Sequence, residues 1–537
     1  MPKNRKRTAA LLVLCAALLM ALAACGRGEE DAVTLHEGAV FTVAVSEMPE
    51  TLNPITAAGG LTDEFFLLCY DPLWRLNAAG TPEACLAEDW SLSSDKLTWT
   101  IRLRHDARFS DGEPVTSADV MFSYDLMRYN ETPYSVCFDG ITAIRCPDDY
   151  TVVISTAYVK GDMLYNQTPI LPRHIWRDYE YNPEAFENAA MIGSGPFVYC
   201  PEESSEDGWL FRSREDHFDG CAQIGAVRFS YYGTVTGAAR AVAAGEADAS
   251  FGLTDVQLTT LESVPGVELI QAMLPGAECR SMAFNTRSLL LEDATMRQLL
   301  EYCADKQYFL SMSSGGAGMT GSSFASPGTD YFAEPSGIRG FDPEIARSRL
   351  MAMGYADWDD NGVLESPWDQ SELSVTVYSS SQDIWASTAA AIVTADMEEI
   401  GIRVSWVKTE SPVTDVCTAK SDWDICFIGW NGSMDAPMAA SSFRNDIGGL
   451  TGWNDPTFDA LLAQLRSATE SPAIVNFAQQ LQQRVYDECP AVVLAYSAEI
   501  QAVRSRDWTG YSDILEAAGG LFRNGSAAVY MQITPAE

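Results

Sequence analysis

Histidine is scarce in this chain: four in 537 residues, at His36, His105, His174 and His217. They are scattered, with no HxxxH or HExxH spacing, which argues against a zinc hydrolase of the helical-motif type. The 13 cysteines include no CxxC pair, so zinc ribbons and thioredoxin-like redox chemistry are unsupported. A GxSxG nucleophile elbow is absent. Beyond the first two dozen residues no apolar run reaches 18, so nothing there is expected to span a bilayer. Basic residues are outnumbered, 35 Lys and Arg against 74 Asp and Glu, for a formal net charge of −39. That balance argues against nucleic acid or anionic lipid as partners. The carboxylates fall in no local pattern that marks a catalytic pair. No cofactor is implied.

The N-terminus reads as an address. Lys3, Arg5, Lys6 and Arg7 precede an apolar stretch from Ala9 to Leu22, too short to cross a membrane comfortably. It ends in Leu22-Ala-Ala-Cys25-Gly26, a small-residue cleavage site after an export core. Leu-Ala-Ala-Cys also resembles the lipobox of bacterial lipoproteins, which implies cleavage after residue 24 and a lipid on Cys25. The acidic, polar residues 25–37 then form a tether, and the chain is expected on the outer side of a bacterial cell membrane.

About 512 residues remain once the first 25 are set aside. That is too long for one core, and two or three lobes are expected. Apolar content of 47% with 10% aromatics indicates globular folding. Eleven cysteines remain after Cys15 and Cys25. Cys137/Cys146 and Cys417/Cys426 are each near enough to close a short loop; buried free thiols are the equal alternative.

Periodicity places strands at Phe41–Val45, Leu97–Arg104, Tyr150–Thr156 and the "AVVLAYS" run that begins at Ala491. Helices are predicted after Thr116 or Ser117, across "TGAARAVAAG" to its stop at Gly245, and as one longer segment over "DATMRQLLEYCADKQYFLSM". A helix, Gly401 and a strand follow one another in "STAAAIVTADMEEIGIRVSWV", and two helices cover "DPTFDALLAQLRSA" and "PAIVNFAQQLQQRVYDEC". The mixture is an α/β layout. Gly316-Ala-Gly318-Met-Thr-Gly321 spells GxGxxG but follows a helix, and Ser322 stands where a Walker loop needs lysine, so it is read as a flexible loop. Asp357-Trp-Asp359-Asp-Asn361-Gly362 starts like an EF-hand, but Trp368 occupies the place of the bidentate glutamate. A structural turn is the expectation there, and no metal site is assigned.

Several stretches in order carry a family resemblance: "TLNPITA" from Thr51, "YDPLWRLN" from Tyr70, "RFSDGEPVTSADVMFS" from Arg108, "GSGPF" from Gly193, "GEADAS" from Gly245, "AFNTRSLLLEDATMRQLLEYCADK" from Ala283, "FDPEIARSRLMAMGYADWDDNG" from Phe341 and "YDECPAVVL" from Tyr486. Together they resemble the family 5 extracellular solute-binding proteins, the peptide- and nickel-type receptors of ABC importers. The resemblance implies a two-lobed α/β fold of the periplasmic-binding-protein type II, with a hinge and an extra α/β domain inserted in the first lobe. It implies a first lobe of residues 38–72, 192–283 and 505–537, an extra domain of structural role over 73–191, and a second lobe over 284–504. Asp111-Gly112 is then a turn and Thr116 a helix cap. The resemblance further implies that a small solute, a peptide in the first place, is held between the lobes by a monomer that delivers it to a permease, while separate subunits hydrolyse ATP. No enzymatic activity is implied.

In peptide-binding relatives an Asp shortly after a Gly-Trp like Gly429-Trp430 anchors the α-amine. Here Ser433 falls at that place, with Asp435 two residues on, in the loop Trp430-Asn431-Gly432-Ser433. The Arg that holds a dipeptide's carboxylate has no counterpart in "YSSSQDIW", where Ser380 stands near its place beside Gln382 and Trp385. Asp435 is therefore the candidate for an amine and Arg280 for a carboxylate. Trp385 and Trp430 are the candidate apolar walls, and Asn53, Gly59 and Gly60 the first-lobe side. The missing anchors also admit another solute on the same fold, such as a sugar, an opine-like compound or a metal chelate. A sensor or enzyme built on this scaffold is the third alternative.

Overall fold

The computed structural model describes residues 34–57, 61–78, 80–274, 276–314, 316–419, 422–433 and 435–536. The leader, Cys25, Gly59 and Gly60 therefore lie outside the described residues. A seven-stranded sheet runs in the order Glu268–Ala272, Glu499–Val503, Ala249–Leu253, Val40–Val45, Ala226–Tyr231, Gly208–Ser213, Phe197–Tyr199. Val40–Val45 lies parallel to both neighbours. Its Phe41, Val43 and Val45 join Phe65, Phe211 and Phe229 on one face, and Ala44 meets Ala238 and Val242 on the other. Burial on both faces explains the unbroken apolar run. The helix Val235–Ala244 stops at Gly245, whose φ of 77° only glycine adopts without strain.

A six-stranded sheet follows the order Met319–Thr320, Ala491–Tyr496, Glu278–Phe284, Ile425–Asn431, Ser374–Ser380, Arg403–Thr409. Side chains alternate strictly here. Met282, Phe284, Ile425 and Phe427 pack towards the helix Ile384–Glu399, whereas Ala283, Cys426 and Ile428 pack towards the helices Pro456–Ser467 and Ser471–Glu488. A four-stranded antiparallel sheet, Ala87–Leu92, Thr98–Leu103, Thr151–Thr156 and Ile141–Asp148, makes the extra domain with the helix Ser117–Tyr129. Thr116 caps that helix: Asp119 Oδ2 accepts from its N–H at 2.9 Å and its hydroxyl at 2.6 Å. Where the chain re-enters the first lobe, Gly193 and Gly195 press against Cys69; a Cβ on Gly193 would sit 1.9 Å from its carbonyl oxygen.

Sheet membership moves two of the boundaries expected from sequence. Glu278–Phe284 pairs within the six-stranded sheet, so it belongs to the second lobe. Glu499–Val503 pairs within the seven-stranded sheet, so it belongs to the first. The chain thus crosses between lobes after the strand Glu268–Ala272 and before Glu278–Phe284, and returns between Ala491–Tyr496 and Glu499–Val503. Three further expectations change. The long helix breaks into Ala294–Glu301 and Lys306–Ser314, because Asp305 Oδ1 caps the second piece by accepting from Tyr308 N–H at 2.8 Å. The glycine loop is pinned rather than free: Met319–Thr320 pairs with Tyr496–Ala495. The tether ends early, since Leu35 bridges to Arg214 and His36 N–H donates to Ser213 O at 2.9 Å. All 11 described cysteines are free thiols, and burial pushes Cys137 up to about 11 and Cys426 up to about 12.

Candidate ligand-binding site

The strand Ile425–Asn431 delivers its C-terminal end to the junction of the second lobe and the extra domain. Gly432 N–H donates to Ala277 O at 3.1 Å and fixes the exit of the chain. Ser433 Oγ accepts from Asp435 N–H at 3.1 Å, and Tyr331 donates its hydroxyl to Ser433 O. Asp435 then caps the helix Ala436–Ser442, its Oδ1 accepting from Met438 N–H at 3.2 Å. Opposite stands the 3₁₀ turn Gly161–Tyr165 of the extra domain. Between them is a cavity of about 450 Å³, bounded by Ser433, Asp435 and Arg466 on one side and Asp162, Asn166 and Gln167 on the other.

This cavity has polar groups prepared and unmet. Asp162 Oδ1, Asn166 Nδ2 and Gln167 Oε1 are buried and have no hydrogen-bond partner among the described residues. Leaving such groups unsatisfied costs about 1–3 kcal/mol each, which a bound polar solute recovers. Charge is unbalanced too. Lys160, 3% exposed, donates to Asp162 Oδ2 at 2.9 Å. Tyr158 donates to Asp139 Oδ2 at 2.6 Å. Asp435 has no cation within ion-pair distance among the described residues. Burial, and secondly the Asp162 charge, push its carboxyl up to about 8, against the lowering pull of Met438 N–H, Lys160 and Arg466. Tyr331, Tyr165 and Cys137 also face it. A cation placed here favours the ionised form of Asp435.

The sign of the resulting pH effect follows. Below about 8 Asp435 is held protonated. A cationic ligand favours the carboxylate and so releases a proton on binding. Affinity for a protonated amine is therefore expected to rise from pH 6 towards 8, by at most about tenfold per pH unit. Calorimetry across that range checks it, and Asp435→Asn is expected to flatten the slope.

The extra domain touches the second lobe directly beside the cavity. A Cβ on Gly161 would lie 1.9 Å from Ala468 O, and Lys96 Nζ donates to Thr469 Oγ1 at 2.8 Å. The extra domain and the second lobe are thus in contact at the rim of the cavity.

Of the described residues singled out in the sequence, Ser433 and Asp435 line this cavity and the others do not. Asn431 is exposed at the strand end and Gly432 half-buried behind it. Trp430 is half-buried, its ring 5.6 Å from Phe443 and nearly perpendicular to it. It backs the segment whose Ser442 and Asn445 face the cavity, rather than forming the wall itself. Trp385 is a core residue, 7% exposed and packed on Phe309. Ser380 Oγ accepts from Gln382 N–H and Asp383 N–H, both at 3.2 Å, which turns the chain into the next helix. Gln382 is exposed on that turn. Arg280 lies across from Gly429 while Trp430 lies across from Cys279. Successive positions face opposite sides of a sheet, so Arg280 and Trp430 are on opposite faces and Arg280 does not share the cavity of Asp435.

Asn53 is likewise corrected to a structural role. It is 1% exposed, and its Nδ2 donates to Pro183 O and Phe186 O, both at 2.8 Å. Its Oδ1 accepts from Ile55 N–H at 2.8 Å. Asn53→Ala is expected to lower unfolding free energy by about 2–4 kcal/mol through the orphaned carbonyls, with ligand affinity unchanged. Denaturant melts and calorimetry on one preparation check both halves.

The residues missed in the sequence are Asp162, Asn166 and Gln167. Their only trace is a dense polar run, "KGDMLYNQT", after a strand. The EF-hand-like segment behaves as a turn: Asp357 accepts from Asn361 N–H at 3.0 Å and Gly362 N–H at 2.9 Å. Asp357, Asp359 and Glu365 bring carboxylate oxygens within 4.8 Å of one another there.

Comparison with known proteins agrees with this architecture. The sequence profile of the family described as "Bacterial extracellular solute-binding proteins, family 5 Middle" matches residues 81–447. The oligopeptide-binding protein AppA of Bacillus subtilis (strain 168) is 21% identical over 520 residues, spanning 92% of this chain and 94% of that one. The probable ABC transporter periplasmic-binding protein SapA of Escherichia coli (strain K12) is 23% identical over 501 residues, spanning 86% and 88%. Among solved structures, HbpA2 from Haemophilus parasuis superposes with a TM-score of 0.78 at 19% identity, over 93% of this chain and all of that one. These structures share the two-lobed α/β fold.

Proposed function

The chain belongs to family 5 of the bacterial extracellular solute-binding proteins, and on that premise we propose that it is the lipid-anchored receptor of an ABC importer for an amine-bearing solute, a peptide in the first place. The observation that carries the reading is the cavity between the second lobe and the extra domain. Among the described residues it offers Asp435 without a paired cation, and Asp162 Oδ1, Asn166 Nδ2 and Gln167 Oε1 without partners. A protonated amine meets both carboxylates, and the two amide side chains suit a peptide unit, since each both donates and accepts. The relative named for oligopeptide binding supports the solute class, and the one named for an ABC transporter supports the importer.

Anchoring rests on the leader. The chain is expected at the outer face of the cell membrane through a lipid on Cys25, with a permease and ATPase as partners; no helix among the described residues is long and apolar enough to cross a membrane. Palmitate labelling of the chain in its host should vanish in Cys25→Ala. Mass spectrometry of the small molecules released from the purified, denatured protein tests the solute. Peptides or other primary amines are expected; a sugar or a metal chelate without an amine would overturn the reading.

A further inference from the structure

A second cavity, of about 160 Å³, lies at the hinge, where Leu253, Thr254 and Ile500 of the first lobe meet Arg280, Ser313 and Ser497 of the second lobe and the return crossing. We propose that it is a carboxylate-binding site built from Arg280, Ser313 and Ser497. Two hydroxyl oxygens, Ser313 Oγ and Ser497 Oγ, are buried there with no hydrogen-bond partner among the described residues. Each is free to donate to an acceptor brought in from outside. Arg280 supplies the charge. Its Nε donates to Glu278 Oε2 at 3.3 Å, and its guanidinium carbon lies 5.3 Å from the Trp385 ring centroid. Those contacts fix the plane of the guanidinium, and no hydrogen bond from its Nη atoms is present among the described residues.

The chemistry selects a carboxylate. The planar fork of an arginine matches two carboxylate oxygens, and the hydroxyls add donors to the remaining lone pairs. Glu278 already offsets part of the charge on Arg280, which disfavours a dianion such as phosphate and leaves a monoanion as the fitting occupant. The volume admits a carboxylate with few waters, at about 30 Å³ per water.

Local sequence supports the arrangement. Gly429 stands directly across from Arg280 in the sheet, and a Cβ there would meet Glu278 Oε1 at 2.3 Å. The missing side chain lets Glu278 fold against Arg280, so Gly429 positions the guanidinium without touching the occupant. Because the lining comes from both lobes and the crossing between them, an occupant is held only in a given arrangement of the lobes. The carboxylate is either the far end of the captured solute, which rests on the receptor reading above, or a free small carboxylate, which does not.

The test uses the mature chain with acetate as probe, followed by saturation-transfer NMR at constant ionic strength. Saturable binding is expected in the wild type, weakened at least about tenfold in Arg280→Gln and severalfold in Ser313→Ala, Ser497→Ala and Gly429→Ala. Circular dichroism melts establish that each variant is folded; the Gly429 change meets only the mobile end of a side chain. No saturable binding in the wild type, or binding unchanged in Arg280→Gln, would overturn the site. A second arm compares tetra-alanine with a free and an amidated C-terminus. A preference for the acid that disappears in Arg280→Gln identifies the solute's own carboxylate as the occupant. Equal binding of the two alongside retained acetate binding identifies a free carboxylate. Should neither peptide bind, the peptide reading fails and the acetate result still decides the site.

Discussion

Asp435→Asn is expected to weaken capture of an amine-bearing solute by about 2–5 kcal/mol, roughly 30-fold to several-thousand-fold. The substitution is clean. Asparagine caps a helix as well as aspartate does, so the bond from Met438 N–H to Oδ1 at 3.2 Å survives. What disappears is the carboxyl that a bound amine would draw into its charged form, in a cavity where Asp435 has no paired cation among the described residues and where Asp162 disfavours that charge. Unfolding stability should therefore hold or rise while affinity falls. That opposition separates a ligand carboxylate from a mere cap, for which both would change little. Isothermal titration and thermal melts on the same preparation give the two numbers. Asp162→Asn is less clean, because Lys160, 3% exposed, depends on Asp162 for its ion pair.

Gly161→Ala carries the second large effect. Its added methyl would meet the Ala468 carbonyl at 1.9 Å, a backbone atom that cannot rotate away. The turn and the end of the helix Pro456–Ser467 belong to different bodies, so the cheapest relief is for the extra domain and the second lobe to part. Overpacking of this kind costs about 1–3 kcal/mol. Here that penalty falls on the arrangement that brings Asp162, Asn166 and Gln167 up to Asp435. Ligand affinity is expected to drop by roughly 5-fold to 150-fold, with far-ultraviolet circular dichroism unchanged and a larger radius of gyration in small-angle scattering. Unaltered affinity would show that the extra domain takes no part in holding the solute.

Local features were legible in the sequence wherever one segment decides them. The apolar run at Phe41–Val45 is a strand buried on both faces, Gly245 ends its helix, and Thr116 caps the next. The loop after Trp430, where an apolar strand gives way to small polar residues and an acid, was singled out in the sequence, and its Ser433 and Asp435 line the cavity. Its partners were not singled out. The turn Gly161–Tyr165 is too short to show a period, and about 270 residues separate it from Asp435, so only the fold brings the two together. The lobe boundaries failed for a related reason. Glu278–Phe284 and Glu499–Val503 are ordinary strands in composition, and which sheet each joins is decided by partners far along the chain. Trp385 and Asn53 show the opposite error. An aromatic and an amide of the kind ligands meet are instead consumed by packing and by three buried hydrogen bonds.

The placement of Ser433 also becomes intelligible. In this chain Ser433 Oγ accepts from Asp435 N–H and so presents the acid two residues later, at the head of the helix Ala436–Ser442. The serine and the aspartate act as one unit, in which the hydroxyl sets the turn and the carboxylate supplies the charge.

The central claim is that a solute amine is held between Asp435 of the second lobe and Asp162 of the extra domain. A crystal structure of the mature protein with its co-purified solute tests it most directly. The account predicts a positively charged nitrogen within hydrogen-bonding distance, about 2.7–3.2 Å, of both carboxylates. A solute seated elsewhere, with both carboxylates facing water, or one that presents no cationic nitrogen to them, would contradict it.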